Sequence, residues 1–152
     1  LDPDKNFYND LCSDSPYYTD CEFSDLLYQR GWTGTDFSVL HLNIRSLRKH
    51  AIELKRFLCG LHFSFSVIAL TETWTTGDDS LSIEIPGYQC YSKSRTHSGG
   101  GGVAMYVKDQ LSFTVMSDLD TCVNNQFESA FIKLQDLNNN SFNVGVICRS
   151  PR

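Results

Sequence analysis

The chain has 152 residues, 41% of them hydrophobic and 12% aromatic, enough for one domain with a packed core and too few for two. A formal net charge of −5 excludes binding to nucleic acid by bulk electrostatics alone and leaves only local basic patches, such as Arg45-Ser46-Leu47-Arg48-Lys49. No run approaches the length of a membrane span, the polar start is no signal peptide, and a first residue of Leu1 is what a piece of a longer protein would show.

Residues 1–35 are rich in Asp, Ser, Tyr and Asn and carry the turn signals Asp2-Pro3 and Ser15-Pro16. They are expected to form a loosely ordered arm or linker, broken by a short helix over residues 22–29 with Phe23, Leu26 and Leu27 on one side. The domain proper is expected over residues 36–152. Its first strand is residues 37–42, ending at Asn43. A helix follows, because Leu47, Ala51, Leu54, Leu58 and Leu61 recur at the spacing of one apolar face, with Arg48, Lys49, Glu53, Lys55 and Arg56 opposite. Ser46 is a fitting N-cap, and Gly60 lies near the helix end.

Ser66-Val67-Ile68-Ala69-Leu70-Thr71 is a short, nearly continuous apolar run, the pattern of a strand buried on both faces. Strand, helix, strand is the βαβ unit, whose strands run parallel and deliver Asn43 and Glu72 to the same carboxyl edge of a sheet. A carboxylate ending a buried strand needs a partner, a cation or an opening to water. Glu72 is read either as holding a cation or orienting a polar partner in a cleft, or as a solvated strand end. Ligands in open α/β sheets sit at that carboxyl edge.

Downstream, Ile85-Pro86-Gly87-Tyr88 reads as a turn and residues 89–93 as a short strand. A polar segment carrying Arg95 and His97 then leads to Gly99-Gly100-Gly101-Gly102 and a strand over residues 103–107. A phosphate-cradling loop would run into a helix with a Lys at its start. This one runs into a strand, so it is read as a mobile loop or a place where another backbone approaches closely. Residues 111–116, 127–135 and 142–148 read as further strands, the last two joined by a hairpin turn over residues 137–141. The six cysteines form no C-x-x-C pair, and three of them, Cys59, Cys90 and Cys148, sit in helix or strand patterns. Reduced thiols are therefore expected, and with them an intracellular protein, nuclear or cytoplasmic. A secreted disulfide domain is the competing reading.

Four phrases, His41-Leu42-Asn43-Ile44-Arg45-Ser46-Leu47, Leu70-Thr71-Glu72-Thr73-Trp74, Gly99-Gly100-Gly101-Gly102-Val103-Ala104 and Gly145-Val146-Ile147-Cys148-Arg149-Ser150-Pro151, occur in this order. Together they resemble the endonuclease domain of LINE-type non-LTR retrotransposons, a branch of the endonuclease/exonuclease/phosphatase superfamily that includes the apurinic endonucleases. The resemblance covers residue 37 to the end. It implies an α/β fold, the amino-terminal part of a four-layer α/β sandwich. It implies a Mg²⁺-dependent DNA endonuclease that nicks target DNA to prime reverse transcription.

The same resemblance implies the site. Asn43 orients the phosphate, Glu72 binds the metal, and Arg149, in a Cys148-Arg149 pair where that family has Tyr-Arg, lies near the scissile phosphate. Arg45, Thr73 and Arg95 complete the phosphate- and DNA-contacting set. The family's Asp-x-Asn motif, a further Asp and an Asp-His pair are expected downstream of Arg149, so this stretch alone is expected not to turn over. The alternative is a non-catalytic interaction module that pairs through an exposed sheet edge.

Overall fold

The computed structural model describes residues 18–32, 36–61, 63–76, 83–94, 100–123, 126–135 and 140–149. The chain enters through helix α1 (Asp20–Gln29). Thr19 caps it in a reciprocal box: its hydroxyl accepts from the Glu22 amide at 3.4 Å, and the Glu22 carboxylate accepts from the Thr19 amide at 2.8 Å. Phe23 of α1 and the following Trp32 both meet Phe63 edge-on, each with ring centroids 6.3 Å apart. This part of the leading segment is therefore packed onto the body, while residues 1–17 and 33–35 lie outside the described residues.

Strand β1 (Val39–Asn43), helix α2 (Leu47–Gly60) and strand β2 (Val67–Thr71) form the expected βαβ unit. The strands are parallel, in a register from Val39 opposite Val67 to Asn43 opposite Thr71. The Ser46 hydroxyl caps α2 by accepting from the Lys49 amide at 3.4 Å. All five residues of β2 are buried, as its unbroken apolar run requires. Strands β3 (Tyr88–Lys93) and β4 (Val103–Lys108) complete a first sheet in the order β1-β2-β4-β3, with β4 antiparallel to both neighbours.

A second, antiparallel sheet is built on the long strand β7 (Phe127–Gln135). β5 (Ser112–Val115) and β6 (Thr121–Val123) pair with its two ends, and β8 (Ser141–Arg149) pairs along its whole length. β6 is absent from the sequence expectation. At three residues it is too short to show alternation, and it is held by neighbouring side-chain bonds, such as the Thr121 amide to the Ser129 hydroxyl at 3.0 Å.

The sheets pack face to face through Val67, Ala69, Val103, Met105 and Val107 on one side and Ala130, Ile132, Leu134, Val146 and Cys148 on the other. The opposite face of the first sheet, with Ile68, Leu70, Ala104 and Tyr106, is covered by Leu47, Leu54, Leu61, Phe65 and Ile85. Helix, sheet and sheet are thus three layers of a partial α/β sandwich. On the outer face of the second sheet Ile147 is exposed. No helix among the described residues is long and apolar enough to cross a membrane. Cys21, Cys59, Cys90, Cys122 and Cys148 are free thiols.

Candidate functional site

The loops leaving β1 and β2 are laced together at the carboxyl rim of the first sheet. The amides of Ile44, Ser46 and Leu47 donate to the carbonyls of Thr71, Glu72 and Thr73 at 3.0, 2.8 and 2.8 Å. On the other flank, the amides of Thr73 and Trp74 donate to the carbonyls of Gly102 and Gly101 at 3.3 and 2.9 Å. Residues 72–74 are therefore clamped between the start of α2 and the glycine loop. Close approach of another backbone is what Gly101 and Gly102 serve. At Gly102, with φ +83°, an added Cβ would lie 2.5 Å from the Thr73 hydroxyl.

Four described non-glycine residues have positive φ: Arg45 (44°), Ser46 (88°), Glu72 (56°) and Trp74 (53°). All four lie in these two loops. Such backbone costs about 1–3 kcal/mol per residue and concentrates at functional sites.

The Glu72 carboxylate sits at the centre of the rim. Its Oε2 accepts from the Trp74 indole Nε1 at 2.6 Å and from the Gly101 amide at 3.3 Å, and its Oε1 accepts from the Cys148 thiol at 3.3 Å. Cys148 belongs to β8 and stands in register with Glu128 of β7. Glu128 is 0% exposed, and its Oε2 accepts from the Gly102 amide at 3.3 Å. Burial first, and then the two neighbouring carboxylates, push the Cys148 thiol up to about 11, so it is a neutral donor at ordinary pH.

Glu128 was not among the sequence candidates, although its signal was present. It shares the strand phase of Ala130, Ile132 and Leu134, which places an acid on the core face.

Asn43 is exposed at the same rim, opposite Thr71. It borders a shallow depression of about 270 Å³ between β1 and α2, with His50, Glu53 and Phe57 on its other wall and Glu72 outside it. Asn43 and Glu72 thus share an edge and adjacent strands, but not that depression. Arg45 is exposed at the entrance to α2, beside Arg48 and Lys49.

Thr73 corrects the sequence reading. Its side chain is 0% exposed, lies beneath Gly102, and bonds the Thr75 hydroxyl at 3.2 Å, which in turn bonds Ser94 at 2.9 Å. It ties β2 to the end of β3 and is shielded from any ligand. Arg149 follows Cys148 on the opposite face of β8, exposed, so strand alternation does not bring it to Glu72. Arg95 lies outside the described residues.

Sheet pairing sets Asn43, Thr71, Val103 and Lys93 in one row across the rim. Lys93 was not singled out by the sequence. Its Nζ lies 3.5 Å from Asp120 Oδ2, which also accepts from the Tyr91 hydroxyl, while Asp120 Oδ1 accepts from the Phe131 amide at 2.8 Å. That acid, 4% exposed, fastens the first sheet to the second.

No family model matches the chain, and no curated protein matches it. Solved structures do. A 3′-phosphatase (NExo) from Neisseria, bound to product DNA hairpin, is 15% identical over 74% of this chain and 40% of its own, with a TM-score of 0.46. A 3′-5′ exonuclease (NExo) from Neisseria meningitidis is 16% identical over 73% of this chain and 40% of its own, with a TM-score of 0.44. The chain spans about 40% of the length of these structures.

Proposed function

We propose that this chain is the amino-terminal part of a Mg²⁺-dependent DNA endonuclease domain, of the kind that nicks target DNA to prime reverse transcription. The observation that carries this reading is the rim. Adjacent parallel strands bring an exposed amide, Asn43, and a fixed carboxylate, Glu72, to one edge. All the described non-glycine residues with left-handed backbone lie there too. The Asn43 amide donates to a phosphate oxygen without adding a repelling charge. Arg45, Arg48 and Lys49 supply cations at the start of α2, where the helix dipole also favours an anion.

The residues present fit a hard cation in a limited way. Glu72 Oε2 accepts from two N–H donors, and Oε1 accepts from the Cys148 thiol, a weak donor. No group of three ligating side chains occurs among the described residues. Mg²⁺ keeps several waters and needs one or two carboxylates plus substrate phosphate, so Glu72 and the DNA backbone together would hold it. Bound there, it would offset the charge that develops on the phosphate. Glu128, sealed behind Gly102, holds the glycine loop in place.

Fluorescence anisotropy of labelled duplex DNA at low salt tests the reading. Binding is expected to strengthen with Mg²⁺, to weaken in Arg45→Ala and Arg48→Ala, and to become indifferent to Mg²⁺ in Glu72→Gln. A chain that binds no DNA, or whose Mg²⁺ response survives Glu72→Gln, refutes it. The resemblance puts the remaining catalytic Asp, Asn and Asp-His residues beyond Arg152, so supercoiled plasmid is expected to stay intact with this chain alone.

One observation favours a second reading as an interaction module. Among the described strands β8 pairs with β7 alone, which leaves a nine-residue edge open to strand addition. Light scattering that reports a monomer at every concentration removes self-association by that route.

A further inference from the structure

We infer that Trp74 is a stacking platform for a nucleobase beside the phosphate site, an inference that rests on the nucleic-acid reading above. Trp74 stands two residues past Glu72, and 47% of it is exposed. A bulky residue at φ +53° is a strained arrangement that the surroundings must enforce. They do so at both ends of the residue. The backbone amide is bonded to Gly101 at 2.9 Å, and the indole Nε1, the only polar atom of the side chain, is bonded to Glu72 at 2.6 Å.

One edge of the ring is fixed, while about half of the residue is open to solvent. An exposed aromatic that swings freely loses rotamer entropy when a ligand orders it. Here that ordering exists before anything binds.

The neighbourhood is suited to a nucleic-acid strand rather than to an apolar partner. The Glu72 carboxylate holds the indole edge, and the loop whose backbone is bonded to residues 71–73 carries the exposed Arg45, next to the exposed Asn43 at the end of β1. An aromatic face set among backbone-contacting cations and amides is how proteins hold unpaired nucleotides, with stacking tolerant of sequence because every base has a π-face. The backbone would run along the Asn43 and Arg45 side while a base turns onto the ring.

The test uses the full 152-residue chain and two probes of equal charge: a ten-nucleotide oligothymidylate and a ten-unit deoxyribose-phosphate chain without bases. The oligothymidylate is expected to quench tryptophan emission, and the quench is expected to vanish in Trp74→Phe, which leaves Trp32 as the remaining indole. In anisotropy, Trp74→Ala is expected to weaken oligothymidylate binding by roughly five- to 150-fold, the range that one lost base stack spans. Trp74→Phe keeps a ring face and is expected to retain most of the affinity although it loses the bond to Glu72.

The abasic chain is expected to bind the wild type and Trp74→Ala alike. Equal loss for both probes in Trp74→Ala would mean that Trp74 acts only by positioning Glu72, and unchanged oligothymidylate affinity would mean no stacking. Either result overturns the inference and leaves the nucleic-acid reading standing. Failure of the wild type to bind either probe overturns both.

Discussion

Gly102→Ala measures how tightly the glycine loop is pressed onto the site. The substitution carries two penalties that separate cleanly. The first is conformational: at φ +83° an L side chain costs about 1–2 kcal/mol. The second is steric: the new Cβ lies 2.5 Å from the Thr73 hydroxyl and 3.4 Å from the Lys93 carbonyl, and Thr73 is held by its bond to Thr75. Overpacking of this kind adds about 1–3 kcal/mol.

Gly87 provides the control. Its φ of +84° matches, and a Cβ there meets nothing within 4 Å, so Gly87→Ala reports the conformational part alone. Gly102→Ala is therefore expected to lose about 2–5 kcal/mol against about 1–2 kcal/mol for Gly87→Ala. At a slope of about 2 kcal/mol per M, a loss of about 3 kcal/mol lowers the urea midpoint by about 1.5 M. Thr73→Ala removes the clashing oxygen, so a double-mutant cycle with Gly102→Ala is expected to return a favourable coupling of about 1–2 kcal/mol. Equal midpoints for Gly102→Ala and Gly87→Ala, or a coupling of zero, would refute the clamp around residues 72–74.

Two more outcomes follow from the buried polar groups. The Cys148 thiol, raised from an ordinary value near 9 to about 11, is expected to resist alkylation at pH 8, while exposed Cys21, Cys59 and Cys122 react. The folded state holds that proton more tightly than the unfolded chain, so the associated stability is present below about pH 9 and lost as pH rises through about 11. Mass mapping of labelled thiols and urea midpoints from pH 8 to 11 check both, and Cys148 labelling as fast as Cys122 contradicts them. Asp120→Ala is expected to cost about 2–4 kcal/mol, because it strands the Tyr91 hydroxyl and the Phe131 amide, while Lys93→Ala, at the exposed end of the pair, costs under about 1 kcal/mol. Equal losses for the two in thermal unfolding would show that the ion pair, and not the hydrogen bonds, joins the sheets.

The parts of the fold that local patterns encode were legible. The unbroken apolar run of β2, the Leu47-Leu54-Leu61 face of α2 and the Ser46 cap each depend on residues close in the chain, and Glu72 stood out as a charge ending a buried strand. What was misread depends on distant segments. Thr73 enters the candidate set with the resemblance, but it is covered by a glycine some thirty residues on, which no periodicity announces. Glu128 shows the reverse. Its place on the core face follows from the alternation of β7, yet the Gly102 amide that it accepts from is in the loop entering the other sheet. The resemblance sets Cys148-Arg149 in the place of a Tyr-Arg pair, whereas a strand sends adjacent side chains to opposite faces.

The bonds on Glu72 couple the acid to the packing of the whole molecule. One oxygen is held from the glycine loop of the first sheet and the other from β8 of the second. Any ångström of shear between the sheets would turn this carboxylate, so its aim is as steady as the apolar interior that holds them in register. Substitutions deep among Ala69, Met105 and Ile132 would turn that carboxylate before they melted the protein.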